Sequence, residues 1–250
     1  MISIKSTGDL EKMRHAAKIV SKVLTEVKKK IKPGITTLEL DNIASIIINS
    51  NGARAAFLGY RGYPKSTCVS VNEQIVHGIP DDRVIKEGDI VSFDVGVEMN
   101  GYYADAARTF TIGKIKPEAM RLVDICQNAL DKATERMRKG NKLSDISRII
   151  QQIAESNNLS VVRSFVGHGI GKEMHEAPQV PNFISRELLA NDINLKPGIV
   201  LAIEPMINIG TSKVKIAGNM WTAYTADKKL SAHFENTIAV TEGAPEILTE

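Results

Sequence analysis

Four acidic residues stand in two matching pairs in this sequence, and each pair accompanies apolar stretches. The stretch 86–94 is a near copy of 196–204, and these stretches end in Asp94 and Glu204, 110 residues apart. Asp105 and Glu235 begin a second pair of stretches, and each acid is followed by Thr after six residues and Gly after eight. Burying a carboxylate among apolar residues is costly unless a positive group meets it. The four acids therefore predict one cation site shared between two halves of the chain.

The spacing within the first pair predicts how its carboxylates meet. Asn100-Gly101 favours a two-residue hairpin turn. This turn would place Asp94 opposite Ala107, so that Asp105 is a diagonal neighbour of Asp94 on the same face, with Cβ atoms roughly 7 Å apart. Arg108 is the one basic residue of these strands and cannot balance four acids. The geometry therefore indicates a metal site rather than buried ion pairs.

Histidines add to this interpretation. His168 lies between glycines that allow close backbone approach, His175 follows seven residues later, and His77 precedes Gly78 in a turn-rich stretch. His15 is expected to be exposed, and His233 shares the strand parity of Glu235. Carboxylates with one imidazole suit borderline divalent ions such as cobalt, manganese, iron, zinc or nickel. Five such ligands around two ions would leave coordination positions for water.

These residues need a scaffold in which helices and strands alternate. Capping residues and apolar periodicity predict a helix after Ser6, a second after Thr36, a third bracketed by Pro117 and Gly140, and a fourth over about 143–156. The period changes to two in the predicted strands 67–71, 90–99, 102–112, 161–166, 200–209 and 232–240.

The order of these elements predicts a duplicated architecture. Two helices followed by strands occur twice, as pseudo-repeats over about 10–113 and 117–243. We therefore expect an α+β fold with pseudo-twofold symmetry, in a single domain over residues 1–250 with no linker.

Bulk properties exclude several classes of protein. The 250 residues are 43% hydrophobic and 24% charged, and a net charge of +3 is too small to indicate a nucleic-acid partner. Cys68 and Cys126 form no paired motif, which favours a reducing compartment. No signal-like or bilayer-length apolar stretch is present. We expect a cytoplasmic protein without a membrane partner, and a monomer as the default.

The motifs resemble those of bacterial type I methionine aminopeptidases, which have the pita-bread fold with a curved antiparallel sheet flanked by helices. The resemblance covers nearly the whole chain. It rests on the stretches 59–64, 76–80, 167–171, 203–206 and 231–235, together with Asp94, Asp105 and His175.

This resemblance implies a role for each site residue. The ligands of a dinuclear centre would be Asp94, Asp105, His168, Glu204 and Glu235. Outer catalytic imidazoles would be His77 and His175, and Glu204 would also transfer a proton. The pocket for the methionine side chain would be lined by Phe57, Tyr60, Tyr63, Cys68 and Trp221. A monovalent cation would lie near Asn72 and Ser231.

The implied activity is removal of the N-terminal methionine from nascent polypeptides when the second residue is small. The resemblance also implies a transient association with the ribosome. The family usually has an aromatic residue where this chain has Met174 and Gln where it has His233. A prolidase-like, proline-directed peptidase of the same fold and a non-catalytic binding module are the alternatives. The intact ligand set argues against the binding module, and the chain length argues against the peptidase.

Overall fold

A computed structural model describes residues 2–250 of the chain. Within that range the α-helices are α1 (Thr7–Lys30), α2 (Thr37–Ser50), α3 (Pro117–Thr134), α4 (Leu143–Ser156) and α5 (Arg186–Ala190). A 3₁₀ turn covers Tyr60–Gly62. None of these helices is long and apolar enough to cross a membrane.

The strands begin after the first helix pair and continue to the C-terminus. In the first half they are β1 (Arg54–Ala55), β2 (Thr67–Val71), β3 (Gln74–Val76), β4 (Ile90–Met99) and β5 (Tyr102–Thr111). In the second half they are β6 (Ser160–Val161), β7 (Gly167–Gly169), β8 (Glu176–Val180), β9 (Val200–Ile203), β10 (Met206–Asn208), β11 (Val214–Ile216), β12 (Ala223–Thr225), β13 (Ser231–His233), β14 (Asn236–Ala239) and β15 (Glu246–Ile247).

Local capping starts the helices of the first half as the sequence predicts. The Ser6 hydroxyl accepts a hydrogen bond from the Asp9 backbone N–H, and the Asp9 carboxylate accepts one from the Ser6 N–H. Thr36 and Glu39 form the same reciprocal pair at the start of α2. Each box satisfies donors that the first helical turn leaves unpaired.

The predicted end of the third helix was wrong. Helix α3 ends at Thr134, and the chain then turns through hydrogen bonds from Arg136 N–H to Ala133 O and from Met137 N–H to Thr134 O. Met137 is still buried, but from this turn and not from the helix. Gly140 has a φ of 89° and marks the start of the next connection instead.

The hairpin that carries the first two acids has the predicted register. Asp94 is opposite Ala107, and Asp105 is opposite Gly96. Asn100 and Gly101 have φ angles of 55° and 76°, as a type I′ turn requires. The two-residue turn therefore places Asp94 and Asp105 on one face of the sheet.

Two predicted strands are interrupted in the structure, and a third is much shorter than predicted. The stretch 200–209 divides at Glu204-Pro205 into β9 and β10, and 232–240 divides at Phe234-Glu235 into β13 and β14. The reason is that β9 and β14 pair in one sheet, whereas β10 and β13 pair in another. The predicted strand 161–166 forms only the short β6, which contacts β10. The chain therefore changes sheet at both glutamates.

Every strand pair is antiparallel, and the sheets of the two halves meet at the acids. One sheet contains β1, β2, β4 and β5, and the largest sheet has the order β15-β14-β9-β7-β8. Ala107 and Glu235 join them through reciprocal backbone hydrogen bonds of 3.4 and 2.9 Å. The predicted α+β class is confirmed, and the junction of the two halves is where the metal ligands were expected.

Each half has its own apolar core beneath its helix pair. Helix α1 packs on β4 and β5, and α2 packs on α1, β1 and β2. In the second half α3 packs on β10 and β13, and α4 packs on α3 and β6. Equivalent backbone contacts recur in the two halves: an isolated bridge joins Thr36 to Val84 in the first half and Lys142 to Asn194 in the second. This recurrence supports the proposed duplication within a single domain of 1–250.

Two isoleucines of α2 provide a test of this packing. Ile48 is fully buried, whereas Ile46 is 67% exposed. We expect Ile48→Ala to lower the free energy of unfolding by about 2–5 kcal/mol, because it leaves a cavity in the first core. Ile46→Ala should change it by no more than about 0.5 kcal/mol. Urea denaturation of both variants checks this, and equal effects would contradict the assigned packing.

Candidate metal centre

Asp94 and Asp105 form one side of the site. They project from the paired strands β4 and β5, and their exposed fractions are 9% and 2%. The Thr237 hydroxyl lies 3.1 Å from Asp105 Oδ1, and Asp94 Oδ1 is buried without a hydrogen-bond partner. A buried carboxylate oxygen without a donor is unfavourable in the protein alone, so it points to a missing positive group.

Glu204 and Glu235 form the opposite side, each at the point where the chain leaves one sheet for another. Glu235 is 3% exposed, and the Glu204 side chain is 13% exposed. The Asn182 amide donates to the Glu204 backbone carbonyl at 2.9 Å and fixes the break between β9 and β10. The strand interruptions therefore allow both side chains to reach the first pair of acids.

His168 lies between the two sides. Its Nε2 is 3.5 Å from Asp105 Oδ2 and 3.6 Å from Glu204 Oε1. Its Nδ1 is 2.9 Å from the Gly169 carbonyl, so we assign the ring proton to Nδ1 and the free lone pair to Nε2. Ligand atoms of Asp105, His168 and Glu235 lie within 4.8 Å of one another.

Glycines make room for this arrangement. A Cβ atom on Gly167 would lie 2.4 Å from the Ala202 carbonyl oxygen, and one on Gly169 would lie 2.4 Å from the Ala177 carbonyl oxygen. These contacts are with backbone and cannot be relieved by a side-chain movement. The glycines on either side of His168 are therefore required for β7 to pack between β8 and β9.

The electrostatics of the site favour a bound cation. Burial raises the pKa of Asp105 to about 6, and burial with the neighbouring carboxylates raises the pKa of Asp94, Glu204 and Glu235 well above the usual range. The charge of Arg108 opposes this rise at Glu235 only in part, because its guanidinium donates to the backbone carbonyls of Ala107 and Glu235 and to Asn236 Oδ1. Burial lowers the pKa of His168 to about 4, so its imidazole is neutral and able to bind a metal.

An apolar pocket opens directly onto these ligands. A cavity of about 180 Å³ is lined by the four acids and His168. Its other lining residues are Phe57, Tyr60, Arg61, Tyr63, Cys68, His77, Met174, His175 and Trp221. The structure therefore brings together the residues predicted for the pocket and those predicted for the metal.

Packing gives this pocket its shape. Phe57, Tyr63, Cys68 and Met174 are buried together. The Tyr63 hydroxyl oxygen lies 3.0 Å from the carbonyl oxygens of both Thr67 and Gly78, which share its one proton. Burial raises the pKa of the Cys68 thiol well above its usual range, so it is a neutral apolar wall.

Gly96 was missed by sequence reasoning, although it lies two residues after Asp94 in β4. A Cβ atom there would lie 2.7 Å from Phe57 Cε1 and 3.0 Å from Met174 Cε. The absence of a side chain at Gly96 therefore lets these two walls approach the strand that carries Asp94.

Two further imidazoles face the cavity. His175 Nδ1 lies 2.9 Å from the Tyr60 hydroxyl, and its ring centroid is 4.2 Å from that of His168. Partial burial, and then the proximity of His168, lower the pKa of His175. His77 packs edge-on against Phe165 at 5.2 Å, and burial lowers its pKa to about 4. Both rings are therefore neutral near pH 7.

Comparison with known proteins gives the family of the chain. The sequence model of metallopeptidase family M24 matches residues 11–242. The chain belongs to metallopeptidase family M24.

Several members of the M24 family match this chain over its full length. The methionine aminopeptidase of Clostridium perfringens is 49% identical over 100% of this chain and 99% of its own length. Methionine aminopeptidase 1 of Bacillus subtilis is 47% identical over 100% of this chain and 99% of its own length. The crystal structure of methionine aminopeptidase from Thermotoga maritima has a TM-score of 0.96 at 43% identity and covers 100% of both chains. These matches confirm the resemblance that the motifs indicated and the pita-bread fold.

A more distant solved structure shows the fold alone. Prolidase from Pyrococcus furiosus has a TM-score of 0.77 at 23% identity, and the match covers 99% of this chain but 65% of the prolidase.

His233 is the site residue that the sequence indicated least strongly. The available signals were its strand parity with Glu235 and its place where the family usually has Gln. In the structure it is 2% exposed, and its Nε2 has no hydrogen-bond partner and lies 3.8 Å from Glu204 Oε2. Burial lowers its pKa to about 3. This M24 chain therefore has a buried, neutral imidazole next to the Glu204 carboxylate.

The residues predicted to bind a monovalent cation also meet. The Ser231 backbone N–H donates to the Asn72 carbonyl at 3.0 Å, and the Asn72 amide donates to Asp89 Oδ1 at 2.8 Å. Asn72 has a φ of 59°, which turns its backbone sharply. These contacts connect β2 to β13, and the cation itself remains a prediction.

The raised carboxyl pKa values predict how stability changes with pH when metal is removed. A folded-state pKa above the unfolded value means that the folded protein binds protons more tightly, so the free energy of unfolding falls as pH rises through the folded pKa. The lowered histidine pKa values act in the opposite direction, but only below the ordinary histidine pKa of 6.5. We therefore expect the metal-free protein to lose stability as the pH rises above 6.5, where the histidines no longer oppose the loss of protons from the buried carboxyl groups.

Urea unfolding in the presence of a chelator measures this slope. Added Mn²⁺ should remove it, because metal binding replaces the protons on the carboxyl groups. A metal-free protein that becomes more stable over this pH range would show that groups within the protein neutralise the four acids.

Proposed function

We propose that this chain hydrolyses the first peptide bond of polypeptides that begin with methionine, when the second residue is small. The observation that supports this most directly is the position of an apolar pocket beside the five candidate metal ligands. The methionine aminopeptidases that match the chain at 43–49% identity support the same reaction.

The five ligands would hold two divalent ions. The candidates Asp94, Asp105, His168, Glu204 and Glu235 offer more carboxylate oxygens than one ion needs, and the single charge of Arg108, which lowers the pKa of Glu235, cannot balance four acids. Bound divalent ions supply Lewis acidity and lower the pKa of a coordinated water toward neutrality. The mixed oxygen and imidazole set accepts cobalt, manganese, iron, zinc or nickel.

The remaining residues orient the substrate and move its protons. Phe57, Tyr63 and Cys68 would enclose the methionine side chain, with Tyr60 and Trp221 at the mouth of the pocket. The free α-amine of the substrate would be directed toward the carboxylates, which restricts cleavage to the first bond. Glu204 would accept a proton from the attacking water and deliver it to the leaving nitrogen.

His175 has the geometry to stabilise the developing negative charge. The Tyr60 hydroxyl donates to Nδ1 in the neutral tautomer we assign, so Nε2 carries the proton and is free to donate to the carbonyl oxygen. His77, at the other side of the cavity, would contact the substrate amide. Both imidazoles act as hydrogen-bonding groups without ionising.

Further properties of the protein are proposed from the sequence. The substrates would be the N-termini of nascent polypeptides, and a monovalent cation would lie near Asn72 and Ser231. A monomeric state, a cytoplasmic location and a transient contact with the ribosome remain predictions. The prolidase-like reaction has the weaker support, because the prolidase match reaches only 23% identity.

Substrate specificity tests the pocket. The series Met-X-Ser, with X varied, should be cleaved well for X = Gly, Ala, Ser, Cys, Thr, Pro or Val and poorly for Leu, Lys, Glu or Phe. We expect kcat/KM for Met-Ala-Ser to exceed that for Met-Lys-Ser by on the order of 100-fold. Norleucine in place of methionine should still be cleaved, more slowly. Equal rates for Met-Lys-Ser and Met-Ala-Ser would contradict the proposed small-residue requirement.

Replacement of His175 tests its assigned role. We expect His175→Ala to reduce kcat by about 100- to 1,000-fold, because it removes a donor to the developing oxyanion. Metal stoichiometry should not change. His15→Ala is the matched control, since His15 is exposed on α1, and it should leave kcat unchanged. Loss of one metal equivalent in His175→Ala would make His175 a ligand instead.

A further inference from the structure

The loop that carries His175 is held by a buried ion pair with the N-terminal segment. Lys5 Nζ lies 2.5 Å from Glu176 Oε2, and the two side chains are 4% and 13% exposed. Among the pairs of Lys or Arg with Asp or Glu in residues 2–250, this is the one in which both side chains are nearly buried. Glu176 directly follows His175 in the chain.

The Glu176 carboxylate also closes the loop on itself. Its Oε1 accepts hydrogen bonds from the backbone N–H groups of Lys172 and Glu173, at 2.8 and 3.3 Å. Because Oε2 receives the Lys5 ammonium, one carboxylate joins the beginning of the loop, its end and the N-terminal segment. The backbone on both sides of His175 is therefore fixed relative to Lys5.

Gly171 shows that the fold leaves space for this pair. A Cβ atom on Gly171 would lie 2.4 Å from Lys5 Cε and 2.6 Å from Glu176 Oε1. The Gly171 carbonyl accepts a hydrogen bond from the Tyr103 N–H at 2.8 Å, which anchors the loop to β5. The ammonium and the carboxylate therefore occupy the space where any other residue would place its side chain.

Lys5 is itself held against the turn that leads to β9. Its backbone N–H donates to the Gly198 carbonyl at 2.7 Å, and a Cβ atom on Gly198 would lie 2.7 Å from the Lys5 carbonyl oxygen. Strand β9 ends just before Glu204. The contacts thus run from the strand that leads to Glu204, through Lys5 and Glu176, to His175.

We propose that Lys5 is a positioning residue for His175, acting through Glu176. The Tyr60 hydroxyl fixes the imidazole from the pocket side, and the ion pair fixes the backbone from the opposite side. Lys5 contacts neither the pocket nor a metal ligand, so its effect on the reaction passes through the loop. The proposal rests on the proposed function, in which His175 stabilises the transition state.

The first test is a double-mutant cycle in the Mn²⁺-loaded protein. Lys5→Met removes the ammonium and keeps the apolar stem, and Lys5→Arg keeps a positive charge. With Met-Ala-Ser we expect Lys5→Met to reduce kcat by about 10- to 100-fold, because a displaced catalytic group loses alignment. KM should change by less than about twofold, and Lys5→Arg should restore most of kcat.

The decisive comparison is the same substitution in the His175→Ala background. If Lys5 acts through His175, Lys5→Met should change kcat there by less than about twofold. An equal loss in both backgrounds, or no loss in the wild-type background, overturns the proposal. Arg14→Met is the matched control, because it breaks another long-range pair, Arg14 with Glu246, away from the site. It should leave kcat unchanged.

A spectroscopic measurement separates this proposal from the function on which it rests. In Zn²⁺-loaded protein with ¹⁵N-labelled histidine, Glu176→Gln or Lys5→Met should shift or broaden the imidazole signals of His175 and leave those of His233 in place. Unchanged His175 signals in a folded variant would overturn the positioning role. Failure of the wild-type protein to release methionine would overturn the proposed function alone, since the signals do not depend on turnover.

Discussion

The burial of four carboxylates in one apolar region is the constraint on which the rest of this structure depends. Burial raises the pKa of Asp94, Asp105, Glu204 and Glu235, and the neighbouring carboxylates raise those of Asp94, Glu204 and Glu235 further. The nearby guanidinium of Arg108 donates its hydrogen bonds to two backbone carbonyls and to the Asn236 side-chain amide. A buried charge without a partner costs several kcal/mol. The protein alone therefore leaves the site incomplete, and divalent cations would complete it.

The two halves of the fold bring their acids to the site by different local structures. In the first half, a tight hairpin places Asp94 and Asp105 on one face without interrupting either strand. In the second half, the strands break at Glu204 and before β14, and the broken ends direct the glutamates inward. The halves then join through the backbone of Ala107 and Glu235. The same junction that connects the sheets therefore assembles the ligands, and the pocket forms beside it.

Sequence reasoning succeeded where local rules determine the structure. The caps at Ser6 and Thr36 and the turn at Asn100-Gly101 depend on neighbouring residues, and they predicted α1, α2 and the hairpin register correctly. The apolar pattern predicted one continuous strand across Pro205 and another across Phe234, and both predictions were wrong. Residues on both sides of each break are buried, so the sequence gives no sign that the chain changes sheet there. The end of α3 was also missed, since tertiary packing buries Met137 outside the helix. Contacts such as Lys5 with Glu176 join residues 171 positions apart and give no local signal.

The central claim is that the five predicted ligands hold two divalent ions at the junction of the two halves. Anomalous diffraction from crystals of the Mn²⁺-loaded protein, collected on both sides of the manganese absorption edge, tests it most directly. The account predicts two manganese peaks per chain, about 3.5–4 Å apart, with Asp94, Asp105, His168, Glu204 and Glu235 as ligands. A single peak, or peaks away from these side chains in a protein that still releases methionine, would contradict it.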